Sequence, residues 1–316
     1  MSEPSPHSAE NLRPKLLAVA YRMLGTVADA EDAVQDAYLR YQQHAAEVES
    51  PEAWLVKTTT RVCIDRLRKT KREEYVGQWL PEPVADSWAG ATDRTELADS
   101  LSMAFLVLLE TLSPTERATY LLREVFGYEF DEIAELLDKS PVNIRQIAAR
   151  AKKRLDTRER RFDAAPERVS ELADRFFTAC RSGDVGAIES MLTSDATLFS
   201  DGGGKTHAAP RPVIGTRRIA NLLAVVFRKL RQLGDLAPAT VNGAPGMVFT
   251  IAGRPVEVLT FAAREDRVDT LFVVLNPDKL SRWPLSPSAD DDGTYRPGPW
   301  EKNRNGSSSE LPEARS

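Results

Sequence analysis

The segment from Phe126 to Leu155, FGYEFDEIAELLDKSPVNIRQIAARAKKRL, restricts what this chain can fold into more than any other. Ile133, Ala134, Leu136 and Leu137 recur at helical spacing and give one apolar face. Asp138-Lys139-Ser140 breaks the pattern, with Asp138 where a turn of this kind usually has glycine. Aspartate tolerates the left-handed backbone better than most residues. Ser140 is a natural N-cap, Pro141 suits the first helical position, and Ile144, Ile147 and Ala148 line the buried side of a second helix. Asn143, Arg145, Gln146, Arg150, Lys152, Lys153 and Arg154 are left on its outer side. Asn, Gln and Arg are side chains that read base edges in a major groove, and the trailing lysines and arginines suit phosphates. A helical hairpin in an ordinary bundle, with a solvated basic face, fits the same residues. The small residue at the crossing, the turn, the cap and the polar face coincide in a helix-turn-helix, which is the preferred reading.

A chain of 316 residues with 42% hydrophobic content has enough apolar material for two or three cored domains. Its net charge of −5 excludes indiscriminate binding of nucleic acid, so DNA contact must come from local basic patches. Cys63 and Cys180 are expected to be small buried residues rather than a disulfide, and no metal-ligand spacing or cofactor motif is present. The start lacks a signal-peptide pattern, and no apolar run is long enough to span a bilayer, so a cytoplasmic protein with no membrane partner is expected.

Residues 10–74 are helical by periodicity. The first helix buries Leu12, Leu16, Val19, Ala20, Met23 and Leu24 and breaks at Gly25. The second buries Ala30, Ala33, Val34, Ala37, Tyr38 and Tyr41, and its other face carries a compact acidic patch of Glu31, Asp32, Gln35 and Asp36. Ser50-Pro51-Glu52 starts a third helix, apolar at first and then basic through Lys57, Arg61, Arg66, Arg68, Lys69 and Arg72. Residues 75–96 lose periodicity, yet Trp79, Leu80 and Trp88 are too apolar for a free spacer, so this linker is expected to dock on a partner surface. Residues 97–161 are helical again, with Ser113-Pro114-Thr115-Glu116 forming a capping box before the helix-turn-helix. From residue 167 helices give way to a meander of strands with turns at Asn242-Gly243, Ala252-Gly253 and Glu265-Asp266. That order indicates an α+β domain, an antiparallel sheet curled around helices, over residues 167–283. Residues 284–316 have the composition of a disordered tail.

With these residues in view, the chain resembles the extracytoplasmic-function sigma factors, small promoter-specificity subunits of bacterial RNA polymerase. DAEDAVQDAYLR looks like the helix of sigma region 2 that meets the polymerase clamp, and AWLVKTTTRVCIDRLRKTKR like the part that handles the −10 element. Residues 97–161 look like sigma region 4. The resemblance implies polymerase docking through Glu31, Asp32, Gln35 and Asp36. It implies −10 contacts from Lys57, Arg61, Arg66, Arg68, Lys69 and Arg72, and −35 contacts from Ser140, Asn143, Arg145, Gln146, Arg150 and Lys153. The implied partners are core polymerase, through its β and β′ subunits, promoter double-stranded DNA and the melted −10 strand.

Three further motifs are similar to those of a subgroup with a C-terminal SnoaL-like cone. They are WLPEP (Trp79, Leu80, Pro81, Glu82, Pro83), DGGGK (Asp201, Gly202, Gly203, Gly204, Lys205) and NPDKL (Asn276, Pro277, Asp278, Lys279, Leu280). The subgroup implies that the cone contacts the sigma domains or the linker and modulates activity in cis, with no catalysis and no cofactor. The architecture then expected is two all-α domains followed by an α+β cone. The competing reading is a DNA-binding regulator whose cone senses an unidentified small molecule or is an enzyme of the polyketide-cyclase or isomerase type. Asp195, Asp201, Lys205 and His207 are its candidate acid–base groups. DGGGK itself reads as an interaction loop, as a plain turn or, least readily, as an anion site. A shared cone does not transfer a reaction.

Overall fold

The computed structural model describes residues 10–70, 74–85, 99–159 and 166–284. Arg72, Trp88, Leu97 and the tail beyond Pro284 lie outside them. Three helices open the chain: α1 (Arg13–Leu24), α2 (Val27–His44) and α3 (Pro51–Lys69). Their ends follow from local chemistry. Gly25 closes α1 in the left-handed region at φ 79°. Thr26 accepts from the Asp29 N–H at the start of α2, and Ser50 accepts from Ala53 N–H ahead of Pro51 in α3. Leu16, Val19, Ala20 and Met23 interlock with Ala30, Val34, Leu55, Val56 and Val62.

Four helices follow: α4 (Met103–Leu109), α5 (Pro114–Tyr120), α6 (Phe130–Leu137) and α7 (Pro141–Glu159). The Ser113–Glu116 capping box forms as the sequence predicts. After α5 the chain widens into a π-turn over Leu121–Val125, which no apolar spacing announces. Asp138 adopts φ 50°, ψ 54°, and the N–H groups of Asp138 and Lys139 both return to the Ala134 carbonyl. Ser140 then accepts from the Asn143 N–H at 3.3 Å. The two helical blocks share one continuous apolar core rather than two separate ones. Across them, buried Arg117 donates to the Met23 carbonyl at 2.7 Å and to Glu110 at 2.8 Å. Cys63 and Cys180 are free and buried.

The remaining chain folds as α8 (Pro166–Ser182), α9 (Val185–Met191), α10 (Thr216–Leu230), the short α11 (Pro277–Leu280) and six strands. These are β1 (Leu192–Asp201), β2 (Val213–Ile214), β3 (Asp235–Val241), β4 (Ala244–Ile251), β5 (Arg254–Arg264) and β6 (Arg267–Val274), in the order β2-β1-β6-β5-β4-β3. The turns sit where the sequence puts them, with Asn242, Ala252 and Glu265 all at positive φ. The sheet departs from expectation in one respect: it is mixed, because β1 and β6 run parallel. Hairpins force antiparallel neighbours only between consecutive strands, whereas the long β1-to-β6 connection, which contains α10, leaves that pair free to be parallel. One face of the sheet packs on the helices through Phe176, Leu223, Phe227, Leu259 and Phe261. The other face carries Val248, Val258, Phe272 and Val274, and is covered by Leu80 of the linker, Met103 and Ala104 of α4, and Leu280 and Trp283. Both faces are thereby covered over the central strands, while edge strand β3 stays largely exposed, and the linker belongs to a core.

A buried polar chain fixes the linker between α1 and the sheet. Tyr21, fully buried, donates to the Glu82 carbonyl at 2.6 Å and accepts from Asn242 Nδ2 at 2.7 Å. Asn242 Oδ1 accepts from Val84 N–H, and Asn242 N–H donates to the Val84 carbonyl. Tyr21→Phe strands the Asn242 amide and the Glu82 carbonyl, and is expected to cost about 1–3 kcal/mol in urea denaturation. Asn242→Ala should cost a similar amount, and the double substitution should cost less than the sum, since both remove the same link.

Candidate functional site

The three short motifs meet around one carboxylate. Asp201 ends β1 with no exposed surface. Its Oδ1 accepts from the Tyr75 hydroxyl at 2.6 Å and from Gly203 N–H at 2.9 Å. Its Oδ2 accepts from Leu80 N–H at 2.9 Å and from Lys279 Nζ at 2.6 Å. Lys279, itself buried, also donates to the Leu80 carbonyl and lies 4.4 Å above the Trp79 ring and 5.1 Å from that of Tyr75. Asn276 donates to the Tyr75 hydroxyl at 2.8 Å, and Lys205 pairs with Asp278 at 2.6 Å. A buried charge is tolerable only when paired and fully hydrogen-bonded, and here every partner comes from linker, loop or α11. Burial, then the hydrogen bond to Asp201, pushes the Tyr75 phenol far above its usual range.

The glycines of DGGGK have a steric reason. Gly203 and Gly204 stand at φ 58° and 71°, and a β-carbon would strike Asn276 at the first and Val76 at the second. Trp79 lies against Gly25, the helix-ending glycine of α1, where the same addition would collide with its ring. WLPEP thus reaches in two directions. Trp79 and Leu80 meet the cone, while Glu82 donates its N–H to the Gly25 carbonyl and accepts from Val27 N–H at the first turn of α2. Pro81 and Pro83 are buried between these contacts. Tyr75, the hydroxyl donor to Asp201, was not among the expected site residues. Its position four residues before Trp79 carries no local signal.

The acid–base candidates of the competing reading are not gathered. Asp201 is saturated by the contacts above, and Asp195 pairs with Arg264 at the other end of β1. Lys205 is held by Asp278, and His207 lies on the exposed side of the loop.

On α2, Asp32 and Gln35 are exposed and Asp36 is half-exposed. Asp36 accepts from Arg66 at 2.8 Å, with Asp32 3.8 Å from the same guanidinium, and Glu31 accepts from Arg282 just after α11 at 2.7 Å. Of the basic residues expected on α3, Arg68 and Lys69 point outward, and Arg68 pairs with Asp65. Lys57 and Arg61 turn instead toward the helix-turn-helix, where both meet Asp138. Burial first, and then the like charge of Arg61, lower the Lys57 pKa. On α7, Ile144, Ile147, Ala151 and Leu155 are buried, leaving Ser140, Asn143, Arg145, Gln146, Arg150 and Lys153 exposed. Arg145 lies near Asp131 and over the Phe130 ring, whereas no partner of the Gln146 and Lys153 side chains occurs among the described residues.

Comparison with known proteins agrees with this arrangement. The sigma-70 region 2 family matches residues 9–73 and sigma-70 region 4 matches residues 102–155. The ECF RNA polymerase sigma factor SigJ of Mycobacterium tuberculosis is 34% identical over 87% of this chain and 93% of its own length. The probable ECF sigma factor SigI of the same organism is 30% identical over 89% and 97% respectively. The crystal structure of SigJ superposes with a TM-score of 0.72 at 32% identity, covering 89% of this chain and 100% of that one.

Two measurements follow from the hub. Asp201→Asn leaves Lys279 buried without its counter-charge and should lower stability by about 3–5 kcal/mol, the range for half of a broken buried pair. The second concerns pH. Burial raises the Glu82 carboxyl to about 7, against the opposing pull of Val27 N–H, Arg282 and Lys279. Burial alone likewise raises Glu257 to about 7. Between an ordinary value near 4.5 and about 7 the folded chain holds these protons more tightly than the unfolded one. Both groups therefore contribute stability that is complete below about pH 4.5 and is lost as pH rises through about 7. Glu82→Gln and Glu257→Gln should each flatten the stability profile across that window.

Proposed function

The chain belongs to the extracytoplasmic-function RNA polymerase sigma factors and directs promoter-specific transcription initiation, and from that premise we propose how its surfaces divide the work. The exposed acidic side of α2, with Asp32, Gln35 and Asp36 at its centre and Glu31 beside it, docks on core polymerase. Its opposite side is committed to the apolar core, which leaves the acidic side at the surface, where Arg66 and Arg282 now pair with it. The outward face of α7 reads the −35 element, with Asn143, Arg145, Gln146 and Arg150 toward base edges, and Ser140 and Lys153 toward phosphate. The basic residues of α3, Lys57, Arg61, Arg66, Arg68 and Lys69, with Arg72 beyond it in sequence, take the −10 strand. Such a protein works in the cytoplasm, beside polymerase. The cone acts in cis rather than by turnover.

The observation carrying the cis reading is the Asp201 hub. The linker that sets the spacing of the two DNA-reading blocks gives its Leu80 N–H and its Tyr75 hydroxyl to a cone carboxylate. Two modest recognition surfaces are selective only while geometry lets both engage, so whatever holds the linker governs promoter use. An isomerase-like cone would need an acid or base free to reach substrate, and Asp201 has no lone pair to spare.

Run-off transcription with core polymerase tests both parts. Reversing Asp32 and Asp36 to Lys should weaken core association at least tenfold, about 1.4 kcal/mol, while the helical circular dichroism is unchanged. Asp201→Asn and Lys279→Met should shift promoter-dependent transcript yield in the same sense, with the double variant close to either single one. Additive effects would separate the two residues and remove the hub as the regulatory element.

A further inference from the structure

Asp138 is the residue at which this helix-turn-helix departs from the usual glycine, and neither the fold nor the proposed division of surfaces uses its carboxylate. The turn needs only a residue that tolerates φ 50°. The carboxylate points away from the hairpin onto α3. Its Oδ1 accepts from Lys57 Nζ at 3.1 Å, and its Oδ2 pairs with the Arg61 guanidinium. Lys57 also donates to the Glu135 carbonyl at 2.8 Å, so it is held by the carboxylate and by the carbonyl-rich end of α6 together. Lys57 and Arg61 are one helical turn apart on α3 and present two cations to one anionic group, as they would to a backbone phosphate.

We propose that Asp138 is an internal substitute for promoter phosphate: in the free protein it occupies Lys57 and Arg61, and −10 DNA must displace its carboxylate from them. This rests on the assignment of Lys57 and Arg61 to the −10 strand. Asp138 is 64% exposed at its side chain and the two cations 34% and 41%. Water and salt reach the contact, so it is weak and exchangeable, as a displaceable mimic must be. The contact also faces the two DNA-reading elements toward each other, since α7 begins three residues after Asp138. Free protein is thereby kept from binding single strands out of context.

The test uses the full chain without polymerase. Asp138→Asn and Asp138→Gly both suit the left-handed backbone, so the turn is preserved while the charge is lost. Binding of a generic fluorescent single strand of roughly 12 nucleotides is followed by anisotropy over a salt series. Freeing two cations should tighten binding severalfold at about 0.1 M salt and steepen the log–log salt slope by about 1.4, or 0.7 per phosphate contact on a single strand. Adding Lys57→Ala and Arg61→Ala to Asp138→Asn should abolish the gain. Unchanged affinity and slope in Asp138→Asn, when Lys57→Ala with Arg61→Ala does weaken binding, would overturn the mimic and leave the −10 assignment standing. If removing both cations leaves binding unaltered even in Asp138→Asn, both the assignment and the mimic fall.

Discussion

The arrangement depends on the burial of one carboxylate and one ammonium, Asp201 and Lys279, at the meeting point of linker, Gly-rich loop and α11. Isolated, either charge would be intolerable at that depth. Together they are satisfied only if Tyr75, Leu80 and Gly203 bring their donors to the same place. The cost of a half-formed site is what makes the geometry specific, since an apolar plug of equal volume would be about as stable but indifferent to register. Trp79 and Tyr75 close over Lys279 with their ring faces, replacing water on the remaining side of the ammonium.

Fixing the linker there has consequences in both directions along the chain. Toward α1, Glu82 and Tyr21 couple the linker to the start of α2, the helix whose outer side carries the acidic patch. Toward α4, Leu80 shares an apolar cluster with Met103, Ala104 and the outer face of the sheet. The cone is therefore no appendage. Its sheet and the corner between α1 and α2 together supply the surface on which residues 74–85 are folded.

How much of this was legible before the structure depended on the range of each interaction. Ser113, Glu116, Gly25, Ser50 and Asn242-Gly243 act within four residues of themselves, so caps and turns could be read directly. The apolar spacing of Ile144, Ile147 and the heptad-like runs of α1 and α2 likewise gave the buried faces. The three motifs could be marked as belonging together, but their convergence on Asp201 could not be derived. Tyr75 is 126 residues and Lys279 78 residues from that carboxylate, and no local period encodes such a distance. The parallel β1–β6 pair and the orientation of Lys57 and Arg61 toward Asp138 were hidden for the same reason. The π-turn after α5 was missed on other grounds, since its buried Leu121 and Leu122 read equally well as the continuation of an α-helix.

The contacts fall into two classes with different strengths, and the difference sets how the molecule can open. Those that bind the linker to α1 and to the cone are buried: Tyr21, Asn242, Asp201 and Lys279 are each at most 6% exposed. The ion pairs of Asp138 with α3, and of Arg282 with Glu31, are open to water, beside the apolar core that the two helical blocks share. Exposed pairs are worth between nothing and about 1 kcal/mol apiece, and salt screens them, whereas separating a satisfied buried pair costs several times that. A partner that meets the acidic face or the recognition helix therefore exchanges the exposed pairs first, while the shared apolar core and the linker contacts resist it. The linker's buried contacts with the cone do not depend on those pairs, so exchanging them leaves residues 75–85 in place.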